Sequence, residues 1–489
     1  MKTYRIVLLI VLTSVLLIGF LGEKIPINDG LGWDGISYAE ITQDFDEDFL
    51  NGEIDSYRFQ RILLPLLINK SMHVLGIPLT NSAIITAYSV ANLLFIGLSV
   101  YLFFLLASQI QLKPAVEIIG FSSLFFCFPI LKFSLYYPIL TDTMAFCLGM
   151  AFSYFYVSRK IVLCFLIIFL GTFVYPNFIL FGLLLFFVFE PPETGGIPWL
   201  PKLARLGLIG FFALLIVYFY VVRDFPLIPE KLKVTPVNQA LLIPSVIGVL
   251  AYLYLTNALI SLRQHILVFY RAIQIRHVLY FIVVFGLSKL IISLFAAKGG
   301  FPIDFKTYLY NVVSQAITNP LNFWVAHVMY LGLAPLLLIF LASTFREKVL
   351  NHGYGALGFI LAFGFFAIGN ESRQLINVYP VFMIFLLLAM QQRWDISPAF
   401  AYSYAAVSLL LSRFWYSINA NGNFQHEGGD TTGFMEFPLQ QYFMFQGPWT
   451  SHWMYGIHLL VCCLLLAGLL LAIYRWKVIQ ELKAEGQQE

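Results

Sequence analysis

Asp34 stands between Trp33 and Gly35, just beyond an N-terminal apolar run. An aromatic wall beside a carboxylate can raise its pKa or frame a sugar ring, so Asp34 reads as a base that meets substrate at a membrane surface. The alternative is a turn or N-cap residue before a short helix over 36–41, which Asp-Gly favours. Farther on, Arg58 and Arg61 lie three residues apart in Ser56-Tyr57-Arg58-Phe59-Gln60-Arg61. On a helix they would share a face and could grip a lipid phosphate or pyrophosphate in the bidentate manner that suits arginine. Equally, they would serve as interfacial anchors that neutralise the preceding acidic run, Asp44 to Asp55. The Asp44 to Asp48 cluster reads as a solvated loop rather than a metal site.

Three further segments carry polar groups where they are costly. Tyr136-Tyr137-Pro138-Ile139-Leu140-Thr141-Asp142-Thr143 runs directly into apolar sequence, and an ionisable group at that depth implies a cavity, a partner or a function. Thr141 or Asp142 serving simply as the helix N-cap is the plainer reading. In Gly369-Asn370-Glu371-Ser372-Arg373-Gln374, Glu371 and Arg373 sit in a very short connection between apolar spans, where a mutual salt bridge is the simple explanation. Residues 414–452 are rich in aromatics and glycine and hold His426, Glu427, Asp430, Glu436 and His452, with no lysine or arginine after Arg413. Such a surface suits carbohydrate, and it also suits a plain external cap. Lys289 either lines a cavity or snorkels to the interface.

The elements that position these groups are membrane helices. Of 489 residues, 60% are hydrophobic and 11% charged, too few charges for a water-exposed surface when soluble chains carry about 25%. Disordered, collagenous and disulfide-framework classes are excluded. The five cysteines, Cys127, Cys147, Cys164, Cys462 and Cys463, lie in apolar stretches without metal-ligand spacing and read as buried small hydrophobes. Lys and Arg are scattered at span ends, so the net charge of +3 is no nucleic-acid signature.

At roughly 20 apolar residues per span, the sequence predicts an all-α, polytopic transmembrane bundle of about fourteen spans forming a single domain over 1–489. Expected spans lie at 1–21, 81–108, 114–132, 140–158, 161–174, 175–189, 204–222, 238–262, 277–296, 323–343, 354–369, 374–391, 397–413 and 453–474. The first run resembles a signal peptide but lacks a clean cleavage site, so it is expected to be retained. Positive-inside counting then puts Lys113, Arg159, Lys160, Lys202, Arg205, the 263–276 linker, Arg346, Lys348, Arg393 and the basic tail on one side with both termini, which is read as cytoplasmic. The acidic loops face outward. The first external loop is 22–80, with short helices, and the last is 414–452. No internal repeat is evident, so the repeat architecture of many transporters finds no support.

Taken together, the first-loop aspartate, the arginine-rich run to Pro65, the Thr-Asp at a span mouth and the Glu-x-Arg between spans resemble the C-type (GT-C) membrane glycosyltransferases. Asn370-Glu371-Ser372-Arg373 is similar to the luminal His-Lys-Glu-x-Arg-Phe motif of the mannosyltransferase branch; Gly369-Asn370 replaces His-Lys and Gln374 replaces Phe. The resemblance implies a sugar moved from a polyprenyl-phosphate donor to a glycan, lipid or protein acceptor on the external face. In that reading Asp34 is the catalytic base and Asp142 the acid of the second external loop. Arg58, Arg61 and Arg373 hold donor phosphate, while Trp33, Tyr38, Glu371 and His426 contact substrate. A divalent cation, Mg or Mn, bridging Asp34 or Asp142 to phosphate stays open, because hard cations prefer oxygen ligands. The expected setting is a bacterial inner membrane, with membrane lipid as surroundings and no nucleic acid. A lipid-linked glycan polymerase or ligase, a flippase or transporter, and a non-enzymatic scaffold are the competing readings.

Overall fold

The computed structural model describes residues 2–187, 200–222, 237–258, 273–297, 305–421 and 451–485. Among these the chain is helical, and extended pairing is confined to two isolated bridges, Asp55 with Ala297 and Phe187 with Ile273. A helix satisfies its own backbone polar groups, which is the condition for crossing hydrocarbon. Five helices are long and apolar enough to do so: Thr3–Leu21, Asn81–Gln109, Gln239–Thr256, Ile275–Phe295 and His452–Arg475. Two helix pairs qualify only together and are bent, Pro114–Phe125 with Pro129–Tyr136 by 50° and Asn322–Leu331 with Ala334–Asn351 by 107°.

Among the described residues, five helices, or up to seven if each bent pair is one span, are thus long and apolar enough to cross a membrane. Other expected spans hold shorter apolar helices, such as Ile161–Thr172, Tyr354–Phe366 and Pro398–Leu411. The span expected over 323–343 holds two helices, bent by 107° at the break between them. Gly332 sits between them at φ +84°, in the left-handed region that glycine tolerates, and Pro335 lies in the first turn of the second helix. The break turns Asn322–Leu331 toward the 370–375 connection, with Ala334–Asn351 running on from the bend.

The first helix is docked rather than peripheral. Leu8, Leu12, Val15 and Leu16 form its buried stripe at helical spacing, and it packs on Pro114–Phe125 and Pro129–Phe133. Near its start Arg5 Nε reaches Glu117 at 2.5 Å and Tyr4 donates to the same carboxylate at 2.9 Å. Just past its other end Glu23 meets buried Lys132 at 2.7 Å. Glu23 also accepts from Ser417 Oγ and from the amides of Ile418 and Asn419, at 2.9, 2.6 and 2.9 Å, which ties the stretch after the first helix to the one after Pro398–Leu411.

At the centre, Asp142–Val157 lies between Asn81–Gln109 and Tyr379–Arg393. Phenylalanines fill the layer around it: Phe121 sits 4.8 Å from Phe125, which contacts Phe146 edge-on at 5.8 Å. Four cysteines are buried as expected, but Cys463 is exposed on the outward face of the last helix, and all five are free thiols.

The approach of Asp142–Val157 to the 377 segment depends on Gly149, where a Cβ would stand 2.1 Å from the Asn377 carbonyl oxygen. Gly149→Ala is expected to destabilise the protein by about 1–3 kcal/mol, as overpacking does. Gly97→Ala, with nothing within 4 Å of its Cβ, is expected to leave stability unchanged or slightly raised. Thermal unfolding of the two variants in the same detergent checks the pair.

Candidate functional site

Asp34 is the first residue of the Asp34–Gln43 helix and not its cap; Trp33 holds the N-cap position without a side-chain capping bond. This helix end is seated on the 137–139 segment. Gly35 donates its amide to the Tyr137 hydroxyl at 3.2 Å, and a Cβ there would lie 2.3 Å from Ile139 Cγ2. The irregular stretch beneath is held by Asn92, whose amide donates to the carbonyls of Ser134 and Pro138 at 2.8 and 2.9 Å. Such bonds replace the helical ones that the stretch between Tyr136 and Asp142 forgoes.

From that position the Asp34 carboxylate reaches Arg373 Nη2 at 3.1 Å, and Arg373 Nε meets Glu371 at 2.7 Å. The guanidinium is largely buried, at 13% exposure, whereas Asp34 is 45% exposed. Burial works against its charge, but Glu371 and Asp34 more than offset it and hold the Arg373 pKa above its ordinary value. The salt bridge between Glu371 and Arg373 is therefore present, and it is extended to Asp34 in the 22–80 segment. The connection is pinned on all sides: Glu371 accepts from the Gln374 amide, Ser372 Oγ pairs with His327 Nδ1 at 2.9 Å, Asn370 donates to Gln315 O at 2.7 Å, and Asn177 donates to Gln374 O at 2.8 Å.

Asp142 begins the Asp142–Val157 helix, where a negative charge suits the dipole. Thr141 precedes it without forming a capping bond. Tyr175 joins the two halves of the cluster. Its hydroxyl lies 3.4 Å from Asp142 Oδ1 and 3.4 Å from the Arg373 carbonyl oxygen; a single proton serves one of these long contacts at a time. Arg373, Arg61, Glu371 and Asp34 all act electrostatically on Asp142.

The two arginines of the first loop do not share a face. The helix there spans only Ser56–Phe59, and the side chains part beyond it. Asp55 caps that helix by accepting the amides of Tyr57 and Arg58 and pairs with Arg58 Nη1 at 2.6 Å. Burial pushes the Asp55 carboxyl up, but these bonds prevail and hold it below the usual carboxylate range. Arg61 instead stacks on Tyr57 at 4.0 Å, with Tyr175 at 5.5 Å on the same cation. Its Nη1 is buried without a hydrogen-bond partner. Tyr38 is buried at 4% exposure, and burial drives its phenol pKa upward; its neighbours in charge include Arg61, Asp34 and Arg373. Trp33 is half-buried against the main core.

Asp34, Asp142, Arg61, Arg373, Glu371 and Tyr38 thus belong to one cluster, with Arg58 at its edge and already paired. His426 lies outside the described residues. Lys289 is exposed on the Ile275–Phe295 helix, its ammonium 5.7 Å from the Phe285 ring, as a snorkelling lysine would be. Sequence reasoning missed Tyr175, Tyr57 as the stacking partner of Arg61, and His327. Tyr175 precedes Pro176 at a helix break, and that was the available signal. No group of three or more His, Cys, Asp or Glu able to hold a metal ion occurs among the described residues. Among the described residues, the Asp34 carboxylate is engaged by Arg373.

Removing the two arginines has unequal consequences. Arg373→Met leaves the partly buried Glu371 without its cation and is expected to cost about 3 kcal/mol, the lower end for a broken buried pair because both acids keep some exposure. Arg61→Met forfeits stacking worth roughly 0.5–2 kcal/mol and relieves an unbonded donor, so its net cost is expected to be under about 1 kcal/mol. Denaturation midpoints in detergent separate the two. No family model, curated protein or solved structure matches the chain.

Proposed function

We propose that the chain is a membrane glycosyltransferase of the GT-C kind, moving a sugar from a polyprenyl-phosphate donor to the hydroxyl of a glycan, lipid or protein acceptor. The observation that carries this reading is the Asp34–Arg373–Glu371 ion cluster beside Arg61, whose buried Nη1 has no partner. A partly exposed carboxylate and a buried cation with an open donor, side by side, are what a reaction with an anionic leaving group and a hydroxyl nucleophile needs. The reading includes about fourteen crossings, with the shorter helices counted as spans, both termini in the cytoplasm and the cluster on the external face of a bacterial inner membrane. Segregation of basic residues in the sequence supports that orientation.

The chemistry follows from the cluster. Asp34 accepts the proton of the acceptor hydroxyl as its oxygen attacks the anomeric carbon. The bond from that carbon to the phosphate oxygen breaks through an oxocarbenium-like state, and the phosphate leaves with the electron pair. Its growing charge falls on Arg61 and Arg373, fixed in place before the reaction and screened from water. Donor phosphate at Arg373 competes with Asp34 for the guanidinium, which loosens the pair and frees the carboxylate to act as base. Asp142, deeper and beside Tyr175, sets the local charge that the donor meets. Divalent-cation chemistry is not required by this scheme and no step passes through it.

Asp34→Asn is expected to insert and fold normally while transfer falls by about 10²–10⁴, the usual worth of a general base. Arg61→Lys, which keeps the charge but loses the planar fork and the tyrosine stack, is expected to lower turnover by about 10²–10³. Mass spectrometry of polyprenyl-linked sugars in membranes lacking the protein, complemented with each version at matched expression, reads both. Equal clearance of the lipid-linked sugar by wild type and Asp34→Asn would remove Asp34 as the base and favour a transport or scaffold role.

A further inference from the structure

The 44–80 stretch divides by charge. Residues 44–55 hold six acids, whereas 62–80 hold none, and Lys70 is the one lysine or arginine there. The second part folds as the Leu63–Leu75 helix, with Leu64, Ile68, Asn69 and Met72 on its buried face. It packs on Asp34–Gln43 and on Asn81–Gln109. The opposite face is apolar and uncovered. Leu67 and Val74 lie two turns apart on it, and Leu75 and Ile77 continue it past the helix end, with Val74 at 85% and Leu75 at 70% exposure.

These side chains are presented by an ordered turn. Gly76 is left-handed at φ +65°; its amide donates to His73 O at 3.1 Å and that of Ile77 to Met72 O at 2.9 Å, the paired bonds of a glycine helix stop. Lys70, at the border of the face, is paired with Asp46 of Phe45–Asn51, which leaves the apolar surface itself without charge. Pro78, Leu79 and Thr80 alone separate Ile77 from Asn81, where a helix long and apolar enough to cross a membrane begins. That length of chain reaches at most about 14 Å. Gln43 fixes the junction by donating to Leu79 O at 3.2 Å and to Asn81 Oδ1 at 2.9 Å. The uncovered face is thus tied beside the bilayer surface that the Asn81–Gln109 helix enters.

We propose that the exposed face of Leu63–Leu75 and its Gly76 turn is a bilayer-surface anchor, with Leu67, Val74, Leu75 and Ile77 inserted among lipid chains just below the headgroups. Apolar side chains so exposed gain by leaving water, and a helix lying in the surface buries such a face about 5–10 Å into the boundary between headgroups and chains. The helix is about 20 Å long at 1.5 Å per residue. It runs from the crossing helix to the ion cluster, since Arg61 stands two residues before Leu63. Lying in the surface, it holds the open Nη1 of Arg61 at headgroup depth. The anchor stands without the transferase reading and bears on it only through Arg61.

The test uses full-length protein carrying Cys463→Ser, the other four cysteines being buried, in phosphatidylcholine vesicles with a nitroxide label at one introduced cysteine at a time. Labels at Val74→Cys and Leu75→Cys are expected to collide readily with oxygen, which concentrates among lipid chains. They are expected to lose the broadening by a water-soluble nickel chelate, present on both sides, that a label at Glu47→Cys shows in full. A label at Tyr57→Cys, beside Arg61, is expected to fall between the two. All four sites are exposed, so the substitutions leave the fold intact. Nickel broadening at 74 and 75 equal to that at 47 would place the face in water and overturn the proposal. So would broadening between labels that disappears on dilution with unlabelled protein, the mark of a second copy covering this face. A label at 57 as open to nickel as the one at 47 would overturn the headgroup depth of Arg61.

Discussion

A guanidinium taken out of water has to find anions, and the buried one of Arg373 finds them on two pieces of chain far apart in sequence. Glu371 is its local partner, while Asp34 comes from 339 residues earlier. An unpaired charge in that position would be strongly unfavourable, so the pairing draws the segment after the first helix down over the late connection between two helices. Once Asp34 is there, Gly35 can seat on Tyr137 and the 137–142 segment is brought alongside. Tyr175 then has Asp142 on one side and the Arg373 backbone on the other.

Close backbone approach makes the same arrangement rigid. At Gly149 the helix that begins with Asp142 comes against the Asn377 carbonyl with no room for a side chain, and small residues of this kind are how helices in lipid gain packing energy. Around the irregular stretches, side-chain amides take over from helical hydrogen bonding: Asn92 for residues 134–138, Asn177 for Gln374 and Asn370 toward Gln315. Polar residues that look out of place in apolar sequence are here the supports of non-helical backbone.

Because Gly332 breaks the 322–351 stretch, Asn322–Leu331 lies against the 372–375 turn while Ala334–Asn351 descends. The bend opens an apolar space between them and their neighbours, and His327 sits at its top with both nitrogens occupied. The ion cluster and this apolar space share the 367–375 segment as a wall.

The all-α membrane class was legible from the sequence alone, because hydrocarbon admits few backbone solutions and apolar runs betray their length directly. Asp34, Asp142, Glu371 and Arg373 were also legible, since charge at the edge of an apolar run is costly enough to need a reason. Tertiary structure alone decided which of these groups meet. Spacing in the first loop predicted a shared face for Arg58 and Arg61, yet a four-residue helix and the cap at Asp55 turned them apart. The bend within the span expected over 323–343 was not legible for a similar reason: apolarity measures affinity for the membrane and carries no information on direction, which the left-handed Gly332 supplied. Tyr175 carried no charge to mark it, and its place between Asp142 and Arg373 arises only when three distant segments pack. Sequence reports what each residue costs to bury; the fold determines which partner makes that burial tolerable.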